Sequence, residues 1–305
     1  VIRHRRIVLT AAVIAAAVAG CSPSGSPGHG PPPPPSQDVR PLSGVTALTY
    51  GESVRLHERQ EQAVATCMRE RGHTYEPRPR TASARSVETN PYGLLDADTA
   101  RTDGYGITGE FLHQKSAPPS DEASHPRQWE RDLTGDPDRR VRLELPDGSQ
   151  VEFPSDGCVA TSRAQLYGKD WDRVEPVAVA LANSVISAVG ENPAYREGER
   201  AWSTCMEREG HPARNVQEPR EQIAGQLREA TGSEAVAEVG RRELEVAAVD
   251  AACQRSAGLD TAVRKAQRAV EQSTLDRRDR EVIARYRTMK ESALTQTDGK
   301  PSAVG

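Results

Sequence analysis

Hydrophobic positions recur along this 305-residue chain with a helical period in some stretches, a strand period in one, and no period in others. An uncharged, mostly apolar run from Ile7 to Ala17 comes first, behind Arg3, Arg5 and Arg6. Residues 22–45 are rich in Pro, Gly and Ser, and Pro31 to Pro35 form a stiff polyproline II rod of about 15 Å. Residues 46–72 read as a first helix. Residues 78–140 keep no sustained period and are expected to be mostly loop. Val141, Leu143 and Leu145 then alternate up to Pro146-Asp147-Gly148, and Val151 and Phe153 alternate after it, which predicts a β-hairpin. Beyond residue 158 the period is helical, over about 158–167, 170–189, 194–209, 219–230 and 233–256. Leu259, Val263, Ala266 and Val270 open a long C-terminal helix reaching about Leu294, and Arg277 and Arg280 interrupt its apolar stripe. The pattern predicts a mainly α fold with a small β-hairpin and long loops.

The N-terminal run is too short to span a bilayer and ends in small residues followed by cysteine, Val18-Ala19-Gly20-Cys21. It resembles a bacterial lipoprotein signal peptide. That resemblance implies cleavage after residue 20, a diacylglycerol on Cys21, and a protein held at the extracytoplasmic face of the cell membrane. Residues 1–20 carry three of the 40 basic residues and none of the 44 acidic ones, so 37 basic against 44 acidic leaves −7 for the mature chain. That balance disfavours nucleic acid, whose phosphates call for a basic patch. The only lysines are Lys115, Lys169, Lys265, Lys290 and Lys300, and Ala, Gly and Pro are abundant, a composition typical of GC-rich actinobacteria. Aromatics are 4% of the chain, so its core is thin for its length and covalent staples gain value.

Those staples follow from the cysteines and from an internal repeat. Lipidation of Cys21 leaves Cys67, Cys158, Cys205 and Cys253, an even number in an oxidising compartment, which favours two disulfides. Residues 61–73 and 199–211 are identical at seven of 13 positions, including Cys-Met and the closing Gly-His. Val64, Cys67 and Met68 share a helix face, as do Trp202, Cys205 and Met206. Gly72 and Gly210 suit the left-handed position past a helix end. Each copy is followed by a further cysteine, in Asp156-Gly157-Cys158 and in Asp250-Ala251-Ala252-Cys253. Equivalent modules imply equivalent bridges, Cys67–Cys158 and Cys205–Cys253. The expected organisation is a signal peptide (1–20), a lipid anchor and linker (21–45) and a mainly helical domain (46–295). The domain comprises two modules (46–168 and 194–260) and the long C-terminal helix, ahead of a disordered tail (296–305). The Cys67-Met68-x-x-x-Gly72 element, Tyr92-Gly93-Leu94, Gly104-Tyr105-Gly106, Asp156-Gly157-Cys158 and Trp202-x-x-Cys205-Met206 together resemble a group of uncharacterised secreted or lipidated actinobacterial proteins. His73 and His211 stand where that group would have an aromatic residue. The resemblance implies the location and the bridges, and it carries no catalytic residue.

Motifs that carry chemistry are sparse. The chain contains no Gly-x-Ser-x-Gly, no Gly-x-x-x-x-Gly-Lys, no His-Glu-x-x-His and no Ser-x-x-Lys. His57-Glu58-x-x-Glu61 lacks the second histidine of a zinc helix. Asp96, Asp98, Asp103 and Gly104 suggest a calcium loop, but Ala100 and Arg101 occupy its ligand and glycine places. Cys67, His73, Cys205 and His211 form a four-ligand set for zinc, which compartment and cysteine parity oppose. No catalytic residue, metal or cofactor is assigned. The expected function is a non-enzymatic, membrane-anchored lipoprotein serving as a binding or accessory module, with an envelope protein or the cell wall as partner. A solute-binding or accessory component of an envelope transporter is the alternative, and an envelope hydrolase without a recognisable motif the second.

Overall fold

Thr49 starts the first helix. Its hydroxyl accepts the Glu52 N–H (3.2 Å), and the Glu52 carboxylate accepts the Thr49 N–H (2.8 Å), satisfying two donors that a helix start leaves open. From there α1 runs Tyr50–Glu70. It ends at Gly72 in the left-handed region (φ 82°), where the His73 N–H reaches back to the Met68 carbonyl (2.9 Å). The second copy of the repeat, on α8 (Pro193–Arg208), ends the same way: Gly210 has φ 82° and the His211 N–H meets the Met206 carbonyl at 2.9 Å. Both are Schellman endings, for which glycine has no steric penalty. The description rests on a computed structural model and covers residues 39–116 and 125–295.

The fold is mainly helical and stapled by two disulfides. Strands β1 (Arg140–Glu144) and β2 (Gln150–Pro154) pair antiparallel, with Val141 opposite Phe153 and Leu143 opposite Val151. Then come α6 (Cys158–Tyr167) and α7 (Trp171–Glu191), and after α8 follow α9 (Glu218–Glu229) and α10 (Gly232–Ser256). Cys67 is bonded to Cys158 and Cys205 to Cys253, with Cα separations of 5.6 and 5.5 Å, the pairs that the repeat implies. The main core joins α7, α8, α9 and α10 around the fully buried Trp202, Met206, Ile223 and Val189. A smaller cluster surrounds the first bridge, with Val64, Met68, Trp129, Leu133 and Cys158. Helix α7 is long and apolar enough to cross a membrane by composition alone, yet Val174, Ala178, Leu181, Val185 and Val189 bury in the main core.

Three expectations need correction. Residues 39–45 are part of the fold and not of a linker: Val39, Leu42 and Val45 are buried. Pro41–Gly44 form a tight 3-10 turn in which Leu42 and Ser43 take left-handed angles (φ 55° and 57°). The Leu42 N–H is held by the Glu271 carboxylate at 2.8 Å. Among the described residues of 78–140, helix outweighs loop. The stretch contains α2 (Ala84–Glu88), α3 (Ala97–Asp103), α4 (Ile107–Ser116) and α5 (Arg127–Thr134). These helices are too short to show a period, and they are set by caps and by single large anchors such as Tyr105 and Trp129. The long C-terminal helix is two helices, α11 (Leu259–Thr274) and α12 (Arg277–Thr295). Leu275 is extended, and Asp276 and Asp279 exchange N–H to carboxylate bonds (3.1 and 2.8 Å), so a new capping box restarts the chain. The signal peptide, Cys21, the polyproline rod and the tail 296–305 lie outside the described residues.

Candidate functional site

Helix α10 carries a carboxylate on its apolar face. Val246, Ala247, Ala251 and Cys253 bury there, and Asp250 buries with them at 0% exposure. Such a group needs partners, because an unpaired buried charge costs several kcal/mol (roughly 3–5). Asp250 has four donors. Oδ1 accepts Trp202 Nε1 (2.7 Å) and Gln254 Nε2 (2.9 Å); Oδ2 accepts the Tyr105 hydroxyl (3.1 Å) and faces Arg220 Nη1 at 3.5 Å. Arg220 also lies over the Tyr105 ring, 4.4 Å from its centre, and donates to the Gly93 carbonyl at 2.7 Å. Gln254 donates to that same carbonyl (3.0 Å) and accepts the Leu95 N–H (2.9 Å). The hub therefore ties α8, α9 and α10 to the Tyr92–Leu95 and Gly104–Gly106 segments. Burial pushes the Asp250 carboxyl up, against the pull of Arg220 and the three other donors.

A second buried carboxylate, Glu243 on the same helix, accepts the Ile107 and Thr108 N–H groups (2.8 and 2.9 Å) and caps α4. Gly104 rests against it, so near that a Cβ would lie 2.8 Å from Glu243 Cγ. The repeat places a third and fourth at equivalent positions. Glu61 accepts the Tyr75 hydroxyl (2.8 Å) and Glu199 accepts the Tyr195 hydroxyl (3.0 Å).

Residues 82–89, around α2, lie between the hub and α1 and line three cavities of about 750, 470 and 480 Å³. The largest is acidic, with Glu52, Glu88, Asp96, Asp103 and Glu110 on its wall. Each of these acids is engaged. Glu52 caps α1, Glu88 accepts the Tyr50 N–H, Asp96 caps α3, Asp103 pairs with Arg85, and Glu110 accepts the Ser83 hydroxyl. The bonds from Thr49, Thr99 and Ser83 hold Glu52, Asp96 and Glu110 below the usual carboxylate range. The 470 Å³ cavity runs between α4 and α9 over Tyr105, Phe111 and Leu227, with Arg85, Arg220 and Arg228 beside them.

The residues singled out in the sequence fall as follows. Cys67 and Cys205 sit in separate disulfides, so the zinc set with His73 and His211 is not assembled, and the described residues hold no other cluster of three metal-ligating side chains. Asp96, Asp98 and Asp103 belong to α3 and its cap, and no calcium loop forms. His57 Nε2 meets the Arg78 carbonyl (2.7 Å). His73 Nε2 lies 2.8 Å from Asp132 Oδ2. The hub residues Arg220, Gln254 and Glu243 carry no motif. Glu243 and Gln254, like Asp250, showed only as polar residues on the apolar stripe of α10, and Arg220 on α9 had no signal. Compared with protein-family models, curated proteins and solved structures, the chain matches none.

Proposed function

We propose that this chain is a tethered, non-catalytic binding module of the actinobacterial cell envelope, held at the outer face of the membrane by lipid on Cys21. The observation that carries the reading is how its buried carboxylates are used. Asp250, Glu243 and Glu61 each fasten one segment to another, Glu199 takes the Tyr195 hydroxyl on its own helix, and all four accept from donors of the protein. A general acid or base must reach substrate, and these face donors of the fold. The cavities around α2, by contrast, offer open walls, partly polar in the largest and mainly apolar in the 470 Å³ one, on which part of an envelope protein or of the cell wall could seat. Tethering raises the effective concentration of such a partner and makes weak contacts productive.

The test is complementation of a deletion strain. Cys21→Ser should shift the protein out of the membrane fraction and abolish complementation, whereas alanine at any single exposed Asp, Glu or His should complement. Membrane fractionation unchanged by Cys21→Ser would overturn the lipid anchor. One exposed acid or histidine whose loss ends function, with an unchanged melting temperature, would turn the reading to an enzyme.

A further inference from the structure

The two copies of the repeat share a backbone ending, but their histidines have different neighbours. In the first module the Asp132 carboxylate gathers three donors: His73 Nε2 at 2.8 Å, Arg71 Nη1 at 3.2 Å and Gln128 Nε2 at 2.9 Å. Gln128 and Asp132 stand one turn apart on α5, beside the buried Trp129 and Leu133. Helix α9 repeats that order after the second copy: Gln222, buried Ile223, Gln226, buried Leu227. Both helices lie in sequence between the two cysteine-bearing helices of their module. In this correspondence Gln226 takes the place of Asp132, and the internal carboxylate is replaced by an amide.

The surroundings match that change. Beside Gly210 and His211 lies a cavity of about 240 Å³. His211, Gln222, Gln226 and Arg242 line it, over Met206, Ile223 and Val246. No acidic residue contributes to its wall. Of the acids near it in sequence, Glu209 pairs with Arg208 (3.2 Å), Glu218 pairs with Arg214 (3.1 Å) and Glu243 caps α4, while Glu221 and Glu245 are exposed. Among the described residues the side chains of His211, Gln222, Gln226 and Arg242 form no hydrogen bond or ion pair with one another or with any other group. The imidazole and amide that meet a carboxylate in the first module thus border a cavity in the second, where Glu209 stands at the place of Arg71 and the guanidinium comes instead from Arg242 of α10. The apolar floor and the size, equal to about eight water volumes, suit a short body behind the charged group.

We propose that this cavity binds a carboxylate with a short apolar body, supplied either by a free small acid or by the C-terminal residue of a peptide. Arg242 and His211 hold the carboxylate as the charged and polar donors, Gln222 and Gln226 complete its hydrogen bonds, and Met206, Ile223 and Val246 take the body. The site needs no catalytic step, and it stands whether or not the chain is lipid-anchored.

Calorimetric titration of the full chain with butyrate and with N-acetyl-alanyl-alanine tests it. Binding of both marks a site for the shared group; binding of the peptide alone assigns the peptide terminus, and binding of butyrate alone the free acid. Arg242→Gln, at an exposed position, should weaken binding at least about tenfold, as loss of a charge-assisted bond does. Gln226→Asp should restore the internal carboxylate, abolish titration and leave the melting temperature unchanged or higher. Arg228→Gln, which alters the more distant cavity, should bind as the unaltered chain does. The proposal is overturned if neither probe binds at about 10 mM, if Arg242→Gln binds undiminished, or if Arg228→Gln weakens binding as much as Arg242→Gln.

Discussion

Asp250 has no exposed surface and four donors, so its removal strands the Trp202 indole N–H, the Tyr105 hydroxyl and the Arg220 guanidinium together. Breaking such a group from one side costs about 3–5 kcal/mol. Asp250→Ala should therefore lower the melting temperature by at least about 6 °C, measured by calorimetry; a loss under about 2 °C would show that the hub is not a fastener. Glu175 is the opposite case. It is half-buried near the stacked Tyr167, Trp171 and Tyr286 rings and accepts no hydrogen bond among the described residues. Burial first, and the Asp172 carboxylate after it, push its carboxyl above the usual value of 4.5, against Arg163. A carboxyl raised in the fold favours the folded state fully below its unfolded value, and that contribution is lost as pH rises through the folded one. Glu175→Gln should thus raise the melting temperature at pH 7 and change it little at pH 4. An equal shift at both would remove the titration from the explanation. At this scale the sequence was only partly legible. The repeat pointed to both bridges and both glycines, whereas Asp250 carried no motif and showed itself only as an acid on an apolar stripe.

At the scale of elements, the bridges join different cores. Cys67–Cys158 closes a separation of 91 residues around the small cluster with Trp129, and Cys205–Cys253 closes one of 48 within the main core. In the chain-entropy model the two are worth similar amounts, roughly 4–5 kcal/mol each. Their losses should nonetheless differ in reach. Replacing Cys67 and Cys158 by alanine should speed hydrogen exchange in α5 and α6 while α10 stays protected. Replacing Cys205 and Cys253 should release the α8 and α10 amides together. Equal, global loss of protection in both variants would mean that the clusters unfold as one. Helices with a full period were legible: α6, α8 and α10 fall within a few residues of where the apolar spacing puts them. The short helices α2 to α5 were not. The caps of α2 and α3 are local, Ser83 and Asp96, but α4 and α5 are set from far away in the chain, as when Glu243 closes the start of α4 across more than 130 residues and Trp129 of α5 donates to the Thr74 carbonyl. Local pattern cannot report a partner at that separation. The break between α11 and α12 had a local sign, Asp276 with Asp279, which the apolar stripe on either side obscured.

Across the whole molecule, the first and last described segments meet. Lys290 of α12 donates to the Val45 and Ala47 carbonyls, and Arg59 of α1 donates to the Ala293 carbonyl at 2.7 Å. Burial lowers the Lys290 ammonium below its ordinary value, with Glu52 pulling the other way. Lys290→Met should loosen both segments at once, seen as faster exchange of the α12 amides and of residues 45–47 with α10 unchanged; faster exchange in α12 alone would deny the coupling. This closure was invisible to reasoning from composition, which assigned residues 39–45 to a linker although Leu42 is seated beside Glu271. It also has a mechanical meaning. Tension arriving at Val39 from upstream meets a left-handed turn whose leucine is plugged into the core and whose neighbouring carbonyls are gripped by α12. Such a load is shared by several contacts at once, where a free end would yield one bond at a time.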